Sequence, residues 1–438
     1  MVRIFLVGRC VFVSAMLVTA TACGSNTVVV GRAPATASPV NSAGPSSSPA
    51  SAPTASPASS PKITASPSGA PSTPSASPSP AAVDGIFVAN VGNGGSFPSI
   101  TAYAANPSGT LNETPLGTIS GANTGLSVPD GIALDASGNI YVANGSGDSL
   151  TVYAPNPSGT LDEAPFATIA GSNSEINEPL AVAVDNHGEI YVLGEIPSGG
   201  GYSASITVYP PVSSGSGTLN EAPSATISGS STGLSAPNGI AVDGSGYIYV
   251  VNGYDAGSFS ITVYPPIPSG GGTLNESPYA TITGSSTGLN HPYGIAVDVS
   301  GNIYVTNPGT GTGVSVSVYA TIPYGGGSLD ETPLGTITGT STGLEIPTGI
   351  AVAPSDDIYV ADAGALLVFA ANPRGTLNEA PLATIQGSST NLSDPVGIAV
   401  PNPLPECSGL IRHPVRSGSS PSRQGPGPLV CPASGGRR

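Results

Sequence analysis

The sequence lacks tryptophan, has only two methionines, and has few charged residues, which make up 8 % of its 438 positions. Because the strong helix formers Lys, Arg, Glu, Gln and Met are so scarce, a helical bundle or coiled coil is excluded. Basic residues are especially rare: ten Lys and Arg stand against 26 Asp and Glu, for a net charge of −16. A chain without a cationic surface is not expected to bind nucleic acid. Glycine (60) and proline (46) are abundant instead.

The charges are unevenly distributed along the chain. Residues 84–406 hold all 26 acidic residues and one basic residue, Arg374, which gives this stretch a net charge of −25. The other nine basic residues lie in the first 83 and the last 32 positions. This asymmetry predicts a leader with a tether, an acidic body and a basic tail. Such a body repels anionic surfaces and favours cationic or neutral partners.

The first 22 residues have the features of an export signal. Arg3 and Arg9 precede a short apolar run from Cys10 to Ala20, and small residues precede Cys23. The run is too short for a stable membrane-spanning helix. Small residues before a Cys that is followed by Gly-Ser resemble the bacterial lipoprotein signal, which implies lipidation of Cys23 and anchoring in the bacterial cell envelope. Ala20 departs from that signal, where Leu is usual, and ordinary cleavage leaving a free Cys23 is the alternative.

Two segments are predicted to be disordered. Residues 23–83 consist mostly of Ser, Pro, Ala and Thr, and residues 406–438 carry five Arg among many Gly, Ser and Pro. Neither segment has enough apolar surface to offset the entropy cost of ordering. Cys407 and Cys431 could form a disulfide in an exported protein, although nothing in the sequence fixes their geometry.

The acidic body is one unit repeated six times. In the copy that starts near residue 292, the four parts are Gly294 to Asp298, Asn302 to Asn307, a run ending at Tyr319, and a run starting at Pro333. Each part is a short β-branched and aromatic run bounded by Gly, Pro, Asn or Ser, which predicts a strand. The unit therefore predicts a four-stranded antiparallel sheet.

The runs are apolar on both faces, so each sheet must be covered on both sides. Like sheets stacked around an axis satisfy this requirement in a β-propeller. The body starts with the second part of the unit at Gly85 and stops after the first part at Val400. We therefore predict an all-β fold, a six-bladed β-propeller over residues 84–405, whose ring is closed by a C-terminal innermost strand joining the N-terminal blade.

The motifs Gly-Ile-Ala-Val-Asp, Gly-Asn-Ile-Tyr-Val-Ala-Asn and Ile-Thr-Val-Tyr are similar to the NHL repeat over residues 85–400. That resemblance implies a six-bladed propeller used mostly for binding and less often for catalysis. The link between the third and fourth strands departs from the usual repeat, since it is longer and carries Gly-Thr-Leu-Asn/Asp-Glu-x-Pro.

Antiparallel connectivity puts the one-to-two and three-to-four links on one face, here called the hairpin face, and the two-to-three and four-to-one links on the other, the loop face. His187 belongs to the hairpin face and His291 to the loop face, so the two cannot share a metal or act as an acid–base pair. The loop-face links vary most between repeats, including 194–205 and 253–259, and recognition is expected there. The candidate binding residues on this face are His291, Asn90, Asn144, Asn252, Asn307, Asp362, Tyr254 and Phe259.

Three repeated residue sets are assigned structural roles. The twelve Tyr and Phe at fixed positions of strands two and three are expected to pack between blades. The Asp that ends strand one, as in Asp243 and Asp298, is expected to accept hydrogen bonds within its own hairpin, although a ring of cation-binding carboxylates is the alternative. The Glu of Leu-Asn/Asp-Glu is likewise assigned to a turn, with Ca²⁺ binding as the alternative.

These observations predict a lipid-anchored binding or scaffold module for protein or glycan partners in the cell envelope, with no catalytic residues, metal or cofactor. The alternative is a metal-dependent lactonase or lyase of the kind found among gluconolactonase and streptogramin-lyase propellers. In that case the Asn and Asp residues that end strand two would be the nearest analogues of the residues around a divalent cation.

Overall fold

A computed structural model describes residues 3–7, 10–14, 85–92, 95–198, 201–213, 215–253, 258–268, 270–309 and 313–401. The predicted tether with Cys23, the loop residue Tyr254 and the basic tail with Cys407 and Cys431 lie outside these residues. The chain divides into two compact units, Met1–Pro78 and Ser79–Arg438. In the first unit, Arg3–Val7 and Cys10–Ser14 pair as an antiparallel two-stranded sheet. None of the described residues forms a helix of the length and apolarity needed to cross a membrane.

The described part of the second unit contains six five-stranded sheets, here called blades one to six in chain order. The innermost strands, called strand one, are Pro395–Ala399 in blade one, then Pro129–Leu134, Ala181–Val184, Pro237–Val242, Ile295–Val297 and Ile350–Val352. The second strands are Ile86–Asn90, Ile140–Asn144, Ile190–Ser198, Ile248–Asn252, Ile303–Asn307 and Ile358–Asp362. The third strands are Ser99–Tyr103, Ser149–Tyr153, Gly201–Tyr209, Ser260–Tyr264, Ser315–Tyr319 and Ala365–Phe369. The fourth strands are Gly117–Ser120, Ala167–Ala170, Ala225–Ser228, Ala280–Thr283, Gly335–Ile337 and Ala383–Gln386.

The ring closes as the sequence predicts. Pro395–Ala399 pairs antiparallel with Ile86–Asn90, with Val88 opposite Ile398 and Phe87 opposite Ala399. The innermost strand of blade one therefore comes from the far end of the repeat array. The six-bladed β-propeller is confirmed, together with its closure by the last strand.

Each blade has a fifth strand that the sequence reasoning treated as a link, so the prediction of four strands is one short. In blades one to six, the fifth strands are Gly159–Leu161, Gly217–Leu219, Gly272–Leu274, Gly327–Leu329, Gly375–Leu377 and Gly109–Leu111. Each Gly-Thr/Ser-Leu segment leaves its own repeat and pairs in parallel with strand four of the preceding blade, and Gly109–Leu111 pairs with Ala383–Gln386 of blade six. These strands cover an edge that would otherwise expose unpaired backbone groups.

The Asn or Asp after each fifth strand fastens it in place. The Asp330 Oδ1 accepts a hydrogen bond from the Ser286 backbone N–H at 2.8 Å, across a gap of 44 residues. Equivalent bonds are accepted by Asn112, Asp162, Asn220, Asn275 and Asn378. The Asn or Asp of the Leu-Asn/Asp-Glu motif thus helps to join neighbouring blades.

The core lies between blades. Each of six buried apolar clusters in the described residues draws on two adjacent blades, and one of them joins blades six and one through Tyr359, Val368, Ile86 and Val88. All twelve repeated aromatics are at most 4 % exposed, which confirms their predicted packing role. They are Phe87, Tyr103, Tyr141, Tyr153, Tyr191, Tyr209, Tyr249, Tyr264, Tyr304, Tyr319, Tyr359 and Phe369.

Glycine in the Pro-x-Gly motif is required by close approach of the innermost strands. A Cβ on Gly294 would lie 2.4 Å from the Thr348 carbonyl oxygen, and one on Gly349 would lie 2.5 Å from the Val396 carbonyl oxygen. These distances are shorter than any normal contact of a side-chain carbon. Blade three alone has alanine here, Ala181. The strands therefore crowd around the axis of the ring, where a propeller has its central channel.

Candidate functional site

The hairpins of the hairpin face are held by carboxylates, as predicted. The Asp298 Oδ1 accepts backbone N–H bonds from Ser300 and Asn302, both at 2.8 Å, and its Oδ2 accepts the Tyr304 hydroxyl at 3.0 Å. Asp135, Asp185 and Asp243 make the same hairpin bonds. Each of these carboxylates is thus saturated by its own turn, in agreement with the structural assignment.

The loop face is joined by a second repeated bond. The hydroxyl of Tyr264 donates to the Thr232 carbonyl oxygen at 2.7 Å, and Tyr319 donates to Thr287 at the same distance. Tyr103, Tyr153 and Tyr209 make the equivalent bond. Blade six has Phe369 at this position, which has no hydroxyl to donate. The tyrosines thus hold five of the six four-to-one links against the next blade.

The Asn side chains that end strand two are buried and hydrogen-bonded within the fold. The Asn252 Nδ2 donates to the Thr262 hydroxyl at 3.0 Å, and its Oδ1 accepts the Ser235 backbone N–H at 3.1 Å. The same pair of interactions occurs at Asn90, Asn144 and Asn307. Their amides stabilise the four-to-one links, and their part in binding stays a prediction.

Asp362 replaces this Asn in blade six and has a different environment. Its carboxylate accepts backbone N–H bonds from Glu345 at 2.7 Å and from Ala363 at 2.8 Å, and a third from Ile346. Burial raises the pKa of the Asp362 carboxyl, and these three donors offset part of the rise. The carboxylate is therefore engaged with its own link.

Two of the predicted binding residues are brought together. The rings of Phe259 and His291 have centroids 4.8 Å apart, tilted by 51°. Phe259 comes from the two-to-three link of blade four, and His291 from the next four-to-one link, where its Nδ1 lies 2.9 Å from the Asn290 Oδ1. His187 lies in a one-to-two hairpin on the hairpin face, with its Nδ1 3.6 Å from the Asp185 Oδ2. The two histidines are thus on opposite faces.

The predicted recognition link 194–205 is largely a regular hairpin. Strands two and three of blade three are nine residues long, against five in the other blades, and they remain paired from Ile190 opposite Tyr209 out to Ser198 opposite Gly201. The Glu195 backbone N–H donates to the Asn177 carbonyl at 3.0 Å, which ties the base of this hairpin to the neighbouring link. Blade three therefore extends a two-stranded arm on the loop face.

The structure also shows an asymmetric set of residues that the sequence reasoning missed. They occupy the position between Pro and Gly in each innermost strand, and we call them the channel-mouth ring: Asp130, Leu180, Asn238, Tyr293, Thr348 and Val396. Strand one begins at the loop face, so the ring encircles the loop-face end of the axis. The sequence signal was a variable residue inside a motif, Pro-x-Gly, that is otherwise repeated in every blade except for Ala181.

A cavity of about 70 Å³ lies on the axis and is lined by residues from all six innermost strands. Five ring members line it, while the Thr348 hydroxyl is within hydrogen-bonding distance of the backbone carbonyls of Ala361 and Pro395. The Nδ2 of Asn238 is buried and has no hydrogen-bond partner in the described part of the chain. Burial raises the pKa of the Asp130 carboxyl to about 7. Perturbed acids and unpaired polar atoms in a cavity are typical of functional sites.

Backbone strain is present at this mouth. The residue before the proline of strand one has a positive φ in five of the six blades: Val128 (52°), Glu178 (41°), Ala236 (44°), His291 (52°) and Asp394 (51°). Such values are unfavourable for residues with a Cβ, and most so for β-branched valine. Strain of this kind is often found at ligand sites.

A larger cavity of about 210 Å³ lies on the hairpin face between blades three and four. Its lining includes Asp185, His187, Glu189 and Asp243, and the two Asp carboxylates are already bonded to their turns. Throughout the described residues, no group of three or more His, Cys, Asp or Glu side chains is arranged to hold a metal ion. The amides of the strand-two Asn side chains are used within the fold, and a role for them around a divalent cation stays a prediction.

No family model matches the chain, and no curated protein matches it. Among solved structures, a protein of unknown function from Bacteroides caccae is similar with a TM-score of 0.45 and 10 % identity, over 72 % of this chain and 98 % of that one. A gluconolactonase from Xanthomonas campestris is similar with a TM-score of 0.36 and 13 % identity, over 67 % and 86 %. A streptogramin B lyase gives a TM-score of 0.30 and 11 % identity, over 57 % and 67 %. Likeness at this level says nothing about the activity of this chain.

Proposed function

We propose that this protein is an exported binding module of the NHL-repeat type that holds a protein or glycan partner on its loop face. The proposal rests on a contrast between the blades and the residues of the channel-mouth ring. The six sheets are built alike, yet they present six different side chains around the axis. Varied groups on a rigid scaffold are the arrangement that recognition uses. The extended arm of blade three and the Phe259–His291 pair lie on the same face.

The predicted leader supports a location in the bacterial cell envelope. Lipidation of Cys23 would hold the propeller at a membrane, and residues 23–83 would separate the two. Mass spectrometry of the purified protein tests this, because a thioether lipid on Cys23 is expected. The variant Cys23→Ser is expected to move the protein from the membrane fraction to the soluble fraction, and unmodified Cys23 in the wild type would contradict the anchor.

A matched pair of variants tests the recognition face. Phe259→Ser removes a loop-face aromatic, and Tyr324→Ser removes an aromatic of the hairpin face that is 83 % exposed. Crosslinking of the full-length chain to envelope extract is expected to lose its specific product in the Phe259 variant and keep it in the Tyr324 variant. Loss in both, or only in the Tyr324 variant, would contradict the loop face as the binding surface.

The metal-dependent lactonase or lyase stays as the alternative prediction. It expects a stoichiometric divalent cation in the purified protein and hydrolysis of lactone or amide substrates that stops when the cation is removed. Metal analysis combined with an activity assay before and after chelation distinguishes it from the binding module.

A further inference from the structure

We propose that the channel-mouth ring binds a primary ammonium group that has an oxygen atom close to it, with Asp130 receiving the ammonium and Asn238 donating to the oxygen. This inference rests on the proposed function, because it takes the loop-face end of the axis as the place of recognition. It adds the chemical class of the ligand to that function.

Asp130 provides the anionic half of the site. It lines the axial cavity, and its carboxylate forms no hydrogen bond or ion pair in the described part of the chain, unlike Asp135, which is bonded throughout. The carboxylate lies over Gly145, where a Cβ would come within 2.3 Å of the Asp130 Oδ2. A partly buried carboxylate without partners is costly unless a cation accompanies it. A cationic ligand would remove that cost.

Asn238 provides the second half. It lines the same cavity from the innermost strand of blade four, and its Nδ2 is buried without an acceptor. Leaving a buried donor unpaired carries a desolvation cost that an acceptor on the ligand would relieve. The two groups thus have opposite needs, since Asp130 lacks a donor and Asn238 lacks an acceptor. A ligand with an ammonium and a nearby oxygen meets both.

The size and charge of the site limit the ligand further. A cavity of about 70 Å³ corresponds to roughly two water molecules, so only the end group of a larger ligand enters it. Tyr293 also lines the cavity, and aromatic rings attract cations. The body carries 26 acidic residues and one basic residue, so an anionic group is repelled and a cation is attracted.

The test is calorimetric titration of the full chain with ethanolamine, which carries an ammonium and a hydroxyl. Ethylene glycol is the neutral probe and calcium chloride the metal probe. Ethanolamine is expected to bind, and ethylene glycol and calcium are not. Asp130→Asn is expected to weaken ethanolamine binding by about 10-fold or more, and Asn238→Ala by about 3- to 10-fold. Asp357→Asn, the same change in a hairpin-face turn where the carboxylate accepts the Ser355 hydroxyl, should leave binding unaltered.

Several results would overturn the ammonium site. They are absence of ethanolamine binding, equal binding of ethylene glycol, calcium binding that displaces ethanolamine, or equal losses in the Asp130 and Asp357 variants. Failure here is distinct from failure of the proposed function. An ammonium site could be absent while Phe259→Ser still abolishes partner crosslinking, and ethanolamine could bind while the crosslinking test fails. Circular dichroism of each variant checks that the fold is retained.

Discussion

The hairpin face and the channel mouth lie at opposite ends of the same innermost strands and follow opposite rules. At the hairpin end, Asp135, Asp185, Asp243 and Asp298 recur and make the same bonds to their own turns. At the mouth, the corresponding position is filled by a different residue in every blade. The same residue type thus recurs from blade to blade where its side chain must close a turn or join two blades.

The two ends also differ in how their polar groups are satisfied. The hairpin carboxylates have two or more donors each, whereas in the described residues Asp130 has no donor and the Asn238 Nδ2 has no acceptor. Natural proteins tolerate unsatisfied groups mainly where function requires them. The difference indicates which end serves the fold and which end is available for a ligand.

The largest expected effect comes from removing the closing strand. A chain ending at Asp394 lacks Pro395–Ala399, which leaves Ile86–Asn90 with an exposed edge and opens the core between blades six and one. We expect loss of cooperative thermal unfolding and an expanded particle in small-angle scattering. A chain ending at Glu406 is the control and should behave as the full chain. Equal compactness and stability of the two would refute the closed ring.

Crowding at the axis gives the next effect. Gly294→Ala places a methyl group 2.4 Å from the Thr348 carbonyl oxygen, so the innermost strands must separate. The expected loss is about 2–4 kcal/mol in the free energy of unfolding, measured by chemical denaturation. Ala181→Gly, at the equivalent position of blade three, serves as the control and should cost about 1 kcal/mol or less. Equal effects would mean that the axis is not crowded.

Two opposite substitutions, Tyr to Phe in one blade and Phe to Tyr in another, test the tyrosine hydrogen bonds of the loop face. Tyr264→Phe leaves the Thr232 carbonyl without its donor and should cost about 1–2 kcal/mol. Phe369→Tyr in blade six adds the missing hydroxyl near the Thr342 link and should be neutral or stabilising by up to about 1 kcal/mol. Thermal denaturation of both variants checks this, and a loss at Phe369 as large as that at Tyr264 would show that blade six has no room for the bond.

The smallest expected effect depends on pH. The pKa of Asp130 is about 7 in the folded protein against 3.8 for an ordinary Asp, so the folded state holds this proton more tightly. Its contribution to stability is therefore lost as pH rises from about 4 to about 7 and stays lost above that. Asp130→Asn should raise the free energy of unfolding at pH 8 by roughly 1 kcal/mol, because solvent contact reduces the full effect, and less at pH 5. A gain that does not change between the two pH values would contradict the burial of a charge.

Much of the fold could be predicted from the sequence because the signals are local and repeated. The Ile-Tyr-Val and Ile-Thr-Val-Tyr runs indicate strands with two apolar faces, and six copies with a missing first strand predict both the ring and its closure. The hairpin role of Asp298 and its equivalents follows from the same repetition. The fifth strand was missed because three residues, Gly-Thr-Leu, are too few to show an alternating pattern.

The candidate site depended on the tertiary structure to a greater extent. The sequence placed Phe259 and His291 on one face, but their ring contact needs two links from different repeats. The strand-two Asn residues looked available in the sequence, and only the fold shows that Ser235 and Thr262 already use the Asn252 amide.

The sequence alone determined that the chain forms a set of similar blades. Strand propensity and apolar residues on both strand faces are properties of each repeat alone. What only the tertiary structure decided is the exchange of fifth strands and the convergence of Asp130, Asn238 and Tyr293 on one cavity. Those residues are more than 50 positions apart in the chain and meet because the ring brings every innermost strand to a common axis. These residues come close together only when the ring closes, so their proximity cannot be predicted from any single repeat.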